Sequence, residues 1–449
     1  MAKYVINDTD LTAVANAIRA KLGNNNTITW PAGFTQSIAA IDTGGNIPSK
    51  TRKAVNFIDY DGTIVESYEV DEFLALSQLP DNPDHTHDEI PLTAQGWNWS
   101  LSDAKTVVTN YGYIDIGQNY VTTSGKTTLI VEIEENAPQN RCTFTLCVCQ
   151  ISGATIYVDW GDKSEISTDA DTSAIVFQHL YEPGRYIIEV WTENGAGLDL
   201  GDTVVGNNNA IYGARATSNA YNRGRIHEFY CGSQVTKIQD YAFHSCYNLS
   251  KMTLSNTIVS GIDQYAFYGC TLLPAMIFPS VVTSVGTSAF QNCYSITSIS
   301  LPNTITEINS DAIKNCRSLT SFMIPANVTN PASSLFSNCY SITNIIIPEG
   351  IQKINSSLFD SCYCISKLTL PTTITNVAAA FPNCYSLSEV HIKKTSPPTL
   401  SSSSVFTASS IPSDLKIYVP YSSNHSILNT YKAATNWSSV ADKIYEEPQ

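Results

Sequence analysis

The chain is poor in basic residues. It has 25 Lys and Arg against 40 Asp and Glu in 449 residues, which gives a formal net charge of -15. The imbalance lies in residues 1–225, which hold 28 acidic and 14 basic residues, whereas residues 226–449 hold 12 and 11. Nucleic acids and anionic membranes bind positively charged surfaces. We therefore expect neither of them as a partner.

Long apolar runs are also missing. No stretch contains the roughly 18 consecutive apolar residues that a membrane-spanning helix needs, so we expect no membrane insertion. Residues 1–11 are polar after Ile6 and have no apolar signal core, so nothing in them directs secretion. The length is too great for one hydrophobic core, and roughly two to four domains are expected.

A repeat between residues 226 and 395 is the clearest feature that is present. Each copy contains Ala-Phe-x-x-Cys or a close variant, and the cysteines of successive copies are 24, 23, 23, 23, 23 and 22 residues apart. These seven cysteines are Cys246, Cys270, Cys293, Cys316, Cys339, Cys362 and Cys384. Copies also carry an alternating strand, such as Ile299 to Leu301. A period of about 23 residues predicts a solenoid with one strand per coil and a continuous core of inward side chains.

The repeated cysteines stand at one position of the coil, so they should form a line along the solenoid. Stacked strands are close enough for disulfides, but seven is an odd number and the stacked side chains point the same way. We predict reduced, buried thiols, which implies synthesis in a reducing compartment. Cys142, Cys147, Cys149 and Cys231 lie in apolar strands and receive the same interpretation.

The repeats resemble the BspA-like (Treponema-type) leucine-rich repeat family at every coil. Residues 396–449 contain Ile417-Tyr418-Val419-Pro420 and a Tyr431 to Trp437 segment, which look like the C-terminal cap of that family. A cap is also required physically, because the last coil would otherwise expose its strand edge and its core. The resemblance implies a binding role, since the family is known mostly from bacterial surface proteins and adhesins.

Residues 1–45 predict a small helical segment. Leu11, Val14, Ile18 and Leu22 form an apolar stripe at helical spacing, and Gly23 ends it. Two such short helices are not stable alone, so the segment should dock on a partner. It resembles the N-terminal module of tail and other virion proteins from phages that infect Firmicutes. The resemblance implies attachment to other virion proteins.

Residues 52–126 predict a small α+β domain, with two strands joined by a turn at Asp61-Gly62. The run from Gln95 to Leu101 resembles a module that accompanies the same repeats in phage and prophage proteins. Phe57 to Thr63 also matches the Asp-x-Asp-Gly-Thr motif of haloacid-dehalogenase-type phosphatases, which would make Asp59 the nucleophile. No βαβαβ series follows, and a hairpin explains the Asp-Gly better. A phosphatase is the alternative function from a different class, an enzyme rather than a binding protein.

Two groups of residues contain side chains of the types that bind metal ions. His85 and His87 would lie on one face of a strand, but they stand between two prolines, where a solvated loop is expected. Asp159 and Asp162 could bind calcium in a turn. We predict no metal site and no cofactor.

Residues 127–200 predict a β-sandwich, because apolar residues alternate along several short segments such as Leu129 to Ile133. The run Val158-Asp159-Trp160-Gly161-Asp162 and the later Tyr181-Glu182-Pro183-Gly184 resemble the polycystic-kidney-disease (PKD) domain. Lys163 stands where that family usually has a second glycine. Such domains are spacers or weak binders. Residues 201–225 then read as a linker into the solenoid.

The residue after each repeated cysteine should leave the core, and in five of seven coils it is tyrosine: Tyr247, Tyr294, Tyr340, Tyr363 and Tyr385. Thr271 and Arg317 break the row. Tyrosine combines apolar area with a polar tip, so the row could stack sugars or contact a protein; the alternative is that each ring only covers its neighbour's turn. Met323 and Ile346 should project from the strand face into solvent and extend the binding surface.

These observations predict a multi-domain, mainly β protein: a capped leucine-rich repeat solenoid preceded by a PKD-like β-sandwich, a small α+β domain and an N-terminal helical segment. The solenoid has no nucleophile–base pair, phosphate loop or metal-ligand spacing, so no enzyme is expected. The function that fits is recognition of a host-surface protein or glycan by a phage virion-surface or tail-associated protein, assembled in the host cytoplasm. A bacterial cell-surface adhesin is the main alternative, and a homo-oligomer is left open.

Overall fold

The computed structural model divides the chain into two compact units, Met1–Thr51 and Arg52–Gln449. It describes residues 50–135, 137, 142–150, 153–169, 174–201, 223–258, 261–407 and 411–448. The predicted segment 1–45 and most of the predicted linker 201–225 therefore lie outside the described residues.

Residues 52–126, here called the small domain, form a four-stranded mixed sheet with two helices. The elements are β1 (Val55–Ile58), β2 (Ile64–Tyr68), α1 (Val70–Leu74), β3 (Leu92–Trp97), α2 (Leu101–Tyr111) and β4 (Ile114–Thr122). The strand order is β2-β1-β4-β3, with β1 parallel to β4. Helix α2 begins after Ser100, whose side chain accepts a hydrogen bond from the Asp103 amide, and it ends at Gly112 with φ 73°.

Residues 127–200 form two packed sheets, as the alternation predicts. The strands are β5 (Thr127–Ile133), β6 (Thr143–Gln150), β7 (Thr155–Asp159), β8 (Glu165–Asp169), β9 (Ala174–Leu180), β10 (Gly184–Thr192) and β11 (Leu198–Leu200). Strand β10 pairs antiparallel with both β5 and β7, and β6 pairs antiparallel with β9 and β11. The inward side chains, such as Leu129, Phe144 and Ile188, are fully buried.

The two sheets of the sandwich continue into the solenoid. Strand β12 (Ile226–Tyr230) pairs antiparallel with β5 and parallel with β14 (Lys251–Met252), and β13 (Val235–Ile238) pairs parallel with β11. One hydrophobic core accordingly runs from Leu129 to Ile444. The sandwich thus closes the N-terminal end of the solenoid, a cap that the sequence pattern did not predict.

The solenoid has about nine turns, and seven of them carry the Ala-Phe-x-x-Cys turn or its close variant opposite the strand side. Its remaining strands are β15 (Ala275–Ile277), β16 (Ser284–Val285), β17 (Ser298–Ser300), β18 (Glu307–Ile308), β19 (Ser321–Met323), β20 (Asn344–Ile346), β21 (Lys353–Ile354), β22 (Lys367–Leu370), β23 (Asn376–Val377), β24 (Glu389–Ile392) and β25 (Thr399–Leu400). Neighbouring coils pair in parallel. The residue before each repeated cysteine has φ between 59° and 72°, which explains why it is Asn, Ser or Gly.

The repeated phenylalanines and cysteines join one coil to the next. Phe243, Phe267 and Phe290 stack with ring centroids 5.1 and 5.3 Å apart, and Phe336, Phe359, Phe381 and Phe406 form a second stack. Each repeated thiol from Cys270 to Cys384 donates a hydrogen bond to the backbone carbonyl of the residue at the Phe position one coil earlier, at 3.1 to 3.4 Å. These bonds tie every coil to its neighbour along the axis.

All twelve cysteines are thiols in the structure, and none forms a disulfide. The eleven that the sequence predicted to be reduced and buried are buried, so that prediction is confirmed. Burial raises the pKa of Cys293 and Cys339 to about 12. Cys364 differs, because it is half-buried.

The C-terminal end is closed by β26 (Lys416–Val419), α3 (Ser426–Ala433), a 3₁₀ segment (Trp437–Lys443) and β27 (Ile444–Glu446). Tyr431 and Trp437 fill the open end of the core and are 0% and 1% exposed. Their polar atoms bond to the last coil: the Tyr431 hydroxyl to the Lys394 carbonyl at 2.8 Å and Trp437 Nε1 to the Pro398 carbonyl at 2.8 Å. The expected cap is present.

We predict that native protein reacts with iodoacetamide at pH 8 at Cys364 only. The other eleven thiols are buried, and an alkylating reagent attacks exposed thiolate. Peptide mass spectrometry should find one modified cysteine in the folded protein and twelve after unfolding, and Cys364→Ser should remove the native label. Modification of any repeated cysteine at the rate of Cys364 would contradict the buried ladder.

Candidate binding surface

The strand face of the middle coils is covered by the small domain. Asn98 Nδ2 donates to the carbonyls of Phe278 and Ser300 at 3.2 Å each, and Trp99 Nε1 donates to the Leu301 carbonyl at 3.1 Å. The Ser300 hydroxyl in turn donates to the Asp115 carbonyl at 2.8 Å. Each such hydrogen bond contributes about 0.5–1.5 kcal/mol. This part of the strand face, which the sequence analysis expected to face solvent, is therefore an interface within the chain.

A buried polar group fixes the same interface further along. Arg52 forms an ion pair with Asp115, with Nη1 and Oδ2 2.7 Å apart. The Arg52 side chain also donates to Ser321 Oγ at 2.9 Å, and the Tyr113 hydroxyl lies 2.6 Å from the same oxygen. Each charge and each hydroxyl thus has a partner, which a buried polar group requires.

Met323 and Ile346 are not exposed as the sequence analysis expected. Ile346 is 8% exposed, and Met323 is half-buried against an apolar cluster of the small domain that includes Phe73 and Val108. The expectation was wrong because strand alternation shows which side chains leave the solenoid core, but not whether another domain covers them. The backbone approaches closely here too, since a Cβ at Gly117 would lie 2.4 Å from Ile277 Cγ2.

The turn side of the coils carries the predicted tyrosines. The name tyrosine row is used here for the continuous set Tyr294, Arg317, Tyr340, Tyr363 and Tyr385. Tyr340 and Tyr363 stack with centroids 4.9 Å apart and planes at 1°, and Tyr385 follows at 5.6 Å. Arg317 does not break the row, because its guanidinium lies 4.4 Å from the Tyr294 ring centroid and 5.5 Å from that of Tyr340. Five successive coils thus present a continuous stack of planar groups.

Exposure varies along the row. Tyr385 at its C-terminal end is 58% exposed, and Tyr294, Tyr340 and Tyr363 are half-buried by their neighbours. Tyr247 is 45% exposed but stands apart, packed over the backbone of Gly224 and separated from the row by Thr271. The sequence analysis did not predict that Arg317 joins the stack of rings. The available signal was that Arg317 occupies the same repeat position as the tyrosines.

The Asp-x-Asp-Gly-Thr segment forms a hairpin turn. The Asp59 amide donates to the Thr63 carbonyl at 2.9 Å, and Gly62 has φ 87°, as the turn interpretation predicted. Asp59 is 2% exposed, and its Oδ2 lies 2.9 Å from His85 Nε2. The carboxylate that would have to attack a phosphate is thus enclosed in an ion pair.

Of the other candidate metal residues, His85 and Asp162 also have partners within the protein. His85 Nδ1 lies 2.8 Å from Asp88 Oδ2, and the Asp162 carboxylate binds His179 and Ser164. Lys163, at the second glycine position of the PKD resemblance, adopts the left-handed φ of 75° that glycine would supply. Across the described residues, no group of three His, Cys, Asp or Glu could hold a metal ion. In that same part of the chain, no helix has the length and apolarity to cross a membrane.

His85 gives a testable pH dependence. Burial alone lowers its pKa, but hydrogen bonds and charge from Asp59 and Asp88 outweigh burial and raise it from 6.5 to about 9. A raised pKa stabilises the folded state fully below pH 6.5, and the contribution disappears as the pH rises through about 9. We expect the free energy of unfolding to fall by about 2–3 kcal/mol across this window.

Urea unfolding of the wild type and of His85→Asn at several pH values checks this. The substitution should remove most of the slope between pH 6.5 and 9, whereas His87→Asn, at an exposed neighbouring histidine, should leave the slope unchanged. An identical slope in the His85 variant would show that the ion pair with Asp59 does not bind the proton.

Comparison with known protein families finds a match in residues 216–431. Residues 216–341 and 331–431 match the BspA type Leucine rich repeat region, with six copies. No curated protein matches the chain. The resemblances of residues 1–45 and 127–200 stay predictions.

Solved structures with some similarity are also leucine-rich repeat proteins. One from Bacteroides ovatus is 19% identical with a TM-score of 0.37, and the match covers 43% of this chain and 55% of that one. The T. pallidum Leucine Rich Repeat protein is 27% identical with a TM-score of 0.31, covering 35% and 73%. A leucine rich cell surface protein from Faecalibacterium prausnitzii is 19% identical with a TM-score of 0.21, covering 47% and 77%. Residues 216–431 of this chain are similar to the BspA type Leucine rich repeat region, as the Ala-Phe-x-x-Cys repeats predicted.

Proposed function

We propose that the chain is a non-enzymatic binding protein of a phage virion surface or tail, and that it recognises a host-surface protein or glycan through the tyrosine row. The observation that carries the proposal is the continuous stack from Tyr294 through Arg317 to Tyr385. The strand face of the middle coils is occupied by the small domain, so the turn side is the repetitive surface left for a ligand.

The row has the composition of a recognition surface. Tyrosine offers apolar area with a hydroxyl at its tip and loses little conformational entropy when it binds. Arg317, held between two rings, presents its guanidinium already ordered. Ordering a side chain before binding reduces the entropy that binding costs. The row lies outside the continuous core, so packing of that core does not require its rings.

Other features support the proposal that the protein is displayed on a virion. Residues 1–45 resemble a virion attachment module, and they would bind other virion proteins. The twelve cysteines without a disulfide agree with assembly in a reducing host cytoplasm. The alternative, a bacterial cell-surface adhesin, would use the same row but a different attachment. A homo-oligomer would multiply weak contacts by avidity.

We expect Tyr340→Ser combined with Tyr363→Ser to weaken binding to Firmicutes cells at least tenfold, because two adjacent rings of the stack are removed. Binding of labelled protein to a panel of gut strains measures this, scored on the strains that the wild type binds. Tyr421→Ser is the matched control, since Tyr421 is 44% exposed in the cap and outside the row. Equal binding of the double variant and the control, at unchanged melting temperature, would reject the row as the ligand site.

Deletion of residues 1–45 separates the virion proposal from the adhesin. We expect the truncated chain to keep its folded solenoid and its cell binding but to be absent from phage particles. Immunogold electron microscopy and mass spectrometry of purified particles from one lysate provide the measurement. Recovery of the full-length chain in the bacterial envelope fraction, with none in particles, would support the adhesin instead.

A further inference from the structure

The first two coils of the solenoid carry four aromatic side chains in one patch, here called the aromatic plate: Tyr241, His244, Tyr265 and Tyr268. Tyr241 stacks on Tyr265 with centroids 4.9 Å apart and planes at 10°, and His244 stacks on Tyr268 at 4.8 Å and 6°. Within each coil the two rings lie 5.5 and 5.8 Å apart. The plate is separate from the tyrosine row, which begins one coil later at Tyr294.

The repeat does not require these rings. The Tyr241, Tyr265 and Ser288 amides each donate to a carbonyl of the next coil, of Gln264, Thr287 and Ser310 respectively, so the three residues occupy one structural position. From the third to the sixth coil this position holds Ser288, Asp311, Ser334 and Ser357. The position of His244 and Tyr268 holds Gln291, Lys314, Ser337 and Asp360 in the same coils. Aromatic residues are confined to the first two coils.

The backbone makes the tyrosines more unusual. Tyr241 and Tyr265 have φ of 61° and 55°, in the left-handed region, as do Ser288 at 54° and Asp311 at 59°. Small polar residues adopt this conformation with modest cost, whereas a bulky aromatic side chain there is an outlier. Unfavourable backbone conformations persist mainly where function retains them. The two tyrosines therefore stand where folding alone would favour serine.

The surroundings of the plate are polar. All four rings are half-buried, which leaves part of each open to solvent. Gln264 Nε2 donates to Asp240 Oδ2 at 2.7 Å beside the rings, and Ser245 Oγ lies 3.0 Å from His244 Nδ1. The next coil has the small, buried Ser288 beside Tyr265, so no third ring continues the stack.

We propose that the aromatic plate is a binding site for a neutral saccharide chain. The C–H face of a sugar ring packs against an aromatic ring, and its hydroxyls bond to planar amide and carboxylate groups such as Gln264 and Asp240. A protein partner would need an apolar centre that is fully removed from water. The plate instead consists of rings with polar tips and a polar rim. This site is independent of what the tyrosine row binds and of where the chain is displayed.

The test uses the full chain with Tyr265→Ser and Tyr268→Gln, the residues that the third coil has at these positions. The probes are purified Gram-positive cell walls, a soluble β-glucan, a mannan and a xylan. We expect the wild type to bind at least one of them, to lose that binding after periodate oxidation of the probe, and to bind at least tenfold more tightly than the variant. The melting temperature of the variant should be no lower than that of the wild type, because serine relieves the left-handed tyrosine.

Tyr421→Ser, at an exposed tyrosine of the cap that belongs to neither the plate nor the tyrosine row, is the control and should bind these probes as the wild type does. The proposal is overturned if the wild type binds none of the probes, if the variant binds as tightly as the wild type, or if binding to cell walls survives periodate and disappears after protease treatment. If the row variants lose cell binding and the plate variant does not, the result concerns the proposed function of the tyrosine row. The saccharide site on the aromatic plate is then judged by the saccharide probes alone.

Discussion

The stacking of one coil on the next is the interaction on which the structure depends. A coil of about 23 residues is too short to bury its own apolar face, so it is stable only against its neighbours. The carbonyl of Phe267 shows how tightly the coils are joined, because it accepts from the Cys270 amide of its own coil at 3.2 Å and from the Cys293 thiol of the next at 3.1 Å. A carbonyl has two lone pairs, and the thiol satisfies the second one. Cysteine suits this position because it is small, apolar and still able to donate.

An array of stacked coils exposes its core at two ends, and it has a strand face and a turn side that meet solvent unless another element covers them. The β-sandwich extends its sheets into the first coils, and Tyr431 and Trp437 close the last coil. The small domain covers the middle of the strand face, where Ser298, Ser300 and Ser321 are at most 4% exposed. Small hydroxyl side chains let the two backbones approach, and they also pair with the polar groups of the small domain. Beyond this interface the strand face carries exposed Asn344 and Lys367, which suit solvent.

The turn side presents the same positions in every coil, and the outward side chains at these positions do not pack in the core. Its residues leave the core after each repeated cysteine or flank the phenylalanine, so their identity is free to vary between coils. The aromatic plate occupies the first two coils and the tyrosine row the following five. Two distinct aromatic surfaces on the turn side fit the proposed binding role, since the spacing of their rings is set by the spacing of the coils.

Local period and turn chemistry were enough for the sequence to determine the solenoid, its buried thiols, its C-terminal cap and the Asp61-Gly62 hairpin. Each of these follows from residues that are close in the chain or that recur at one interval. Tertiary structure alone decided which outward face meets solvent: Asn98 bonds to Ser300 across 202 residues of sequence, and no periodic signal encodes such a contact. It also placed Arg317 between two rings and enclosed Asp59 with His85. Docking between separate domains depends on complementary surfaces that form only after each has folded, and for that reason the sequence could not show that Met323 and Ile346 are covered while the tyrosines of the turns stay partly exposed.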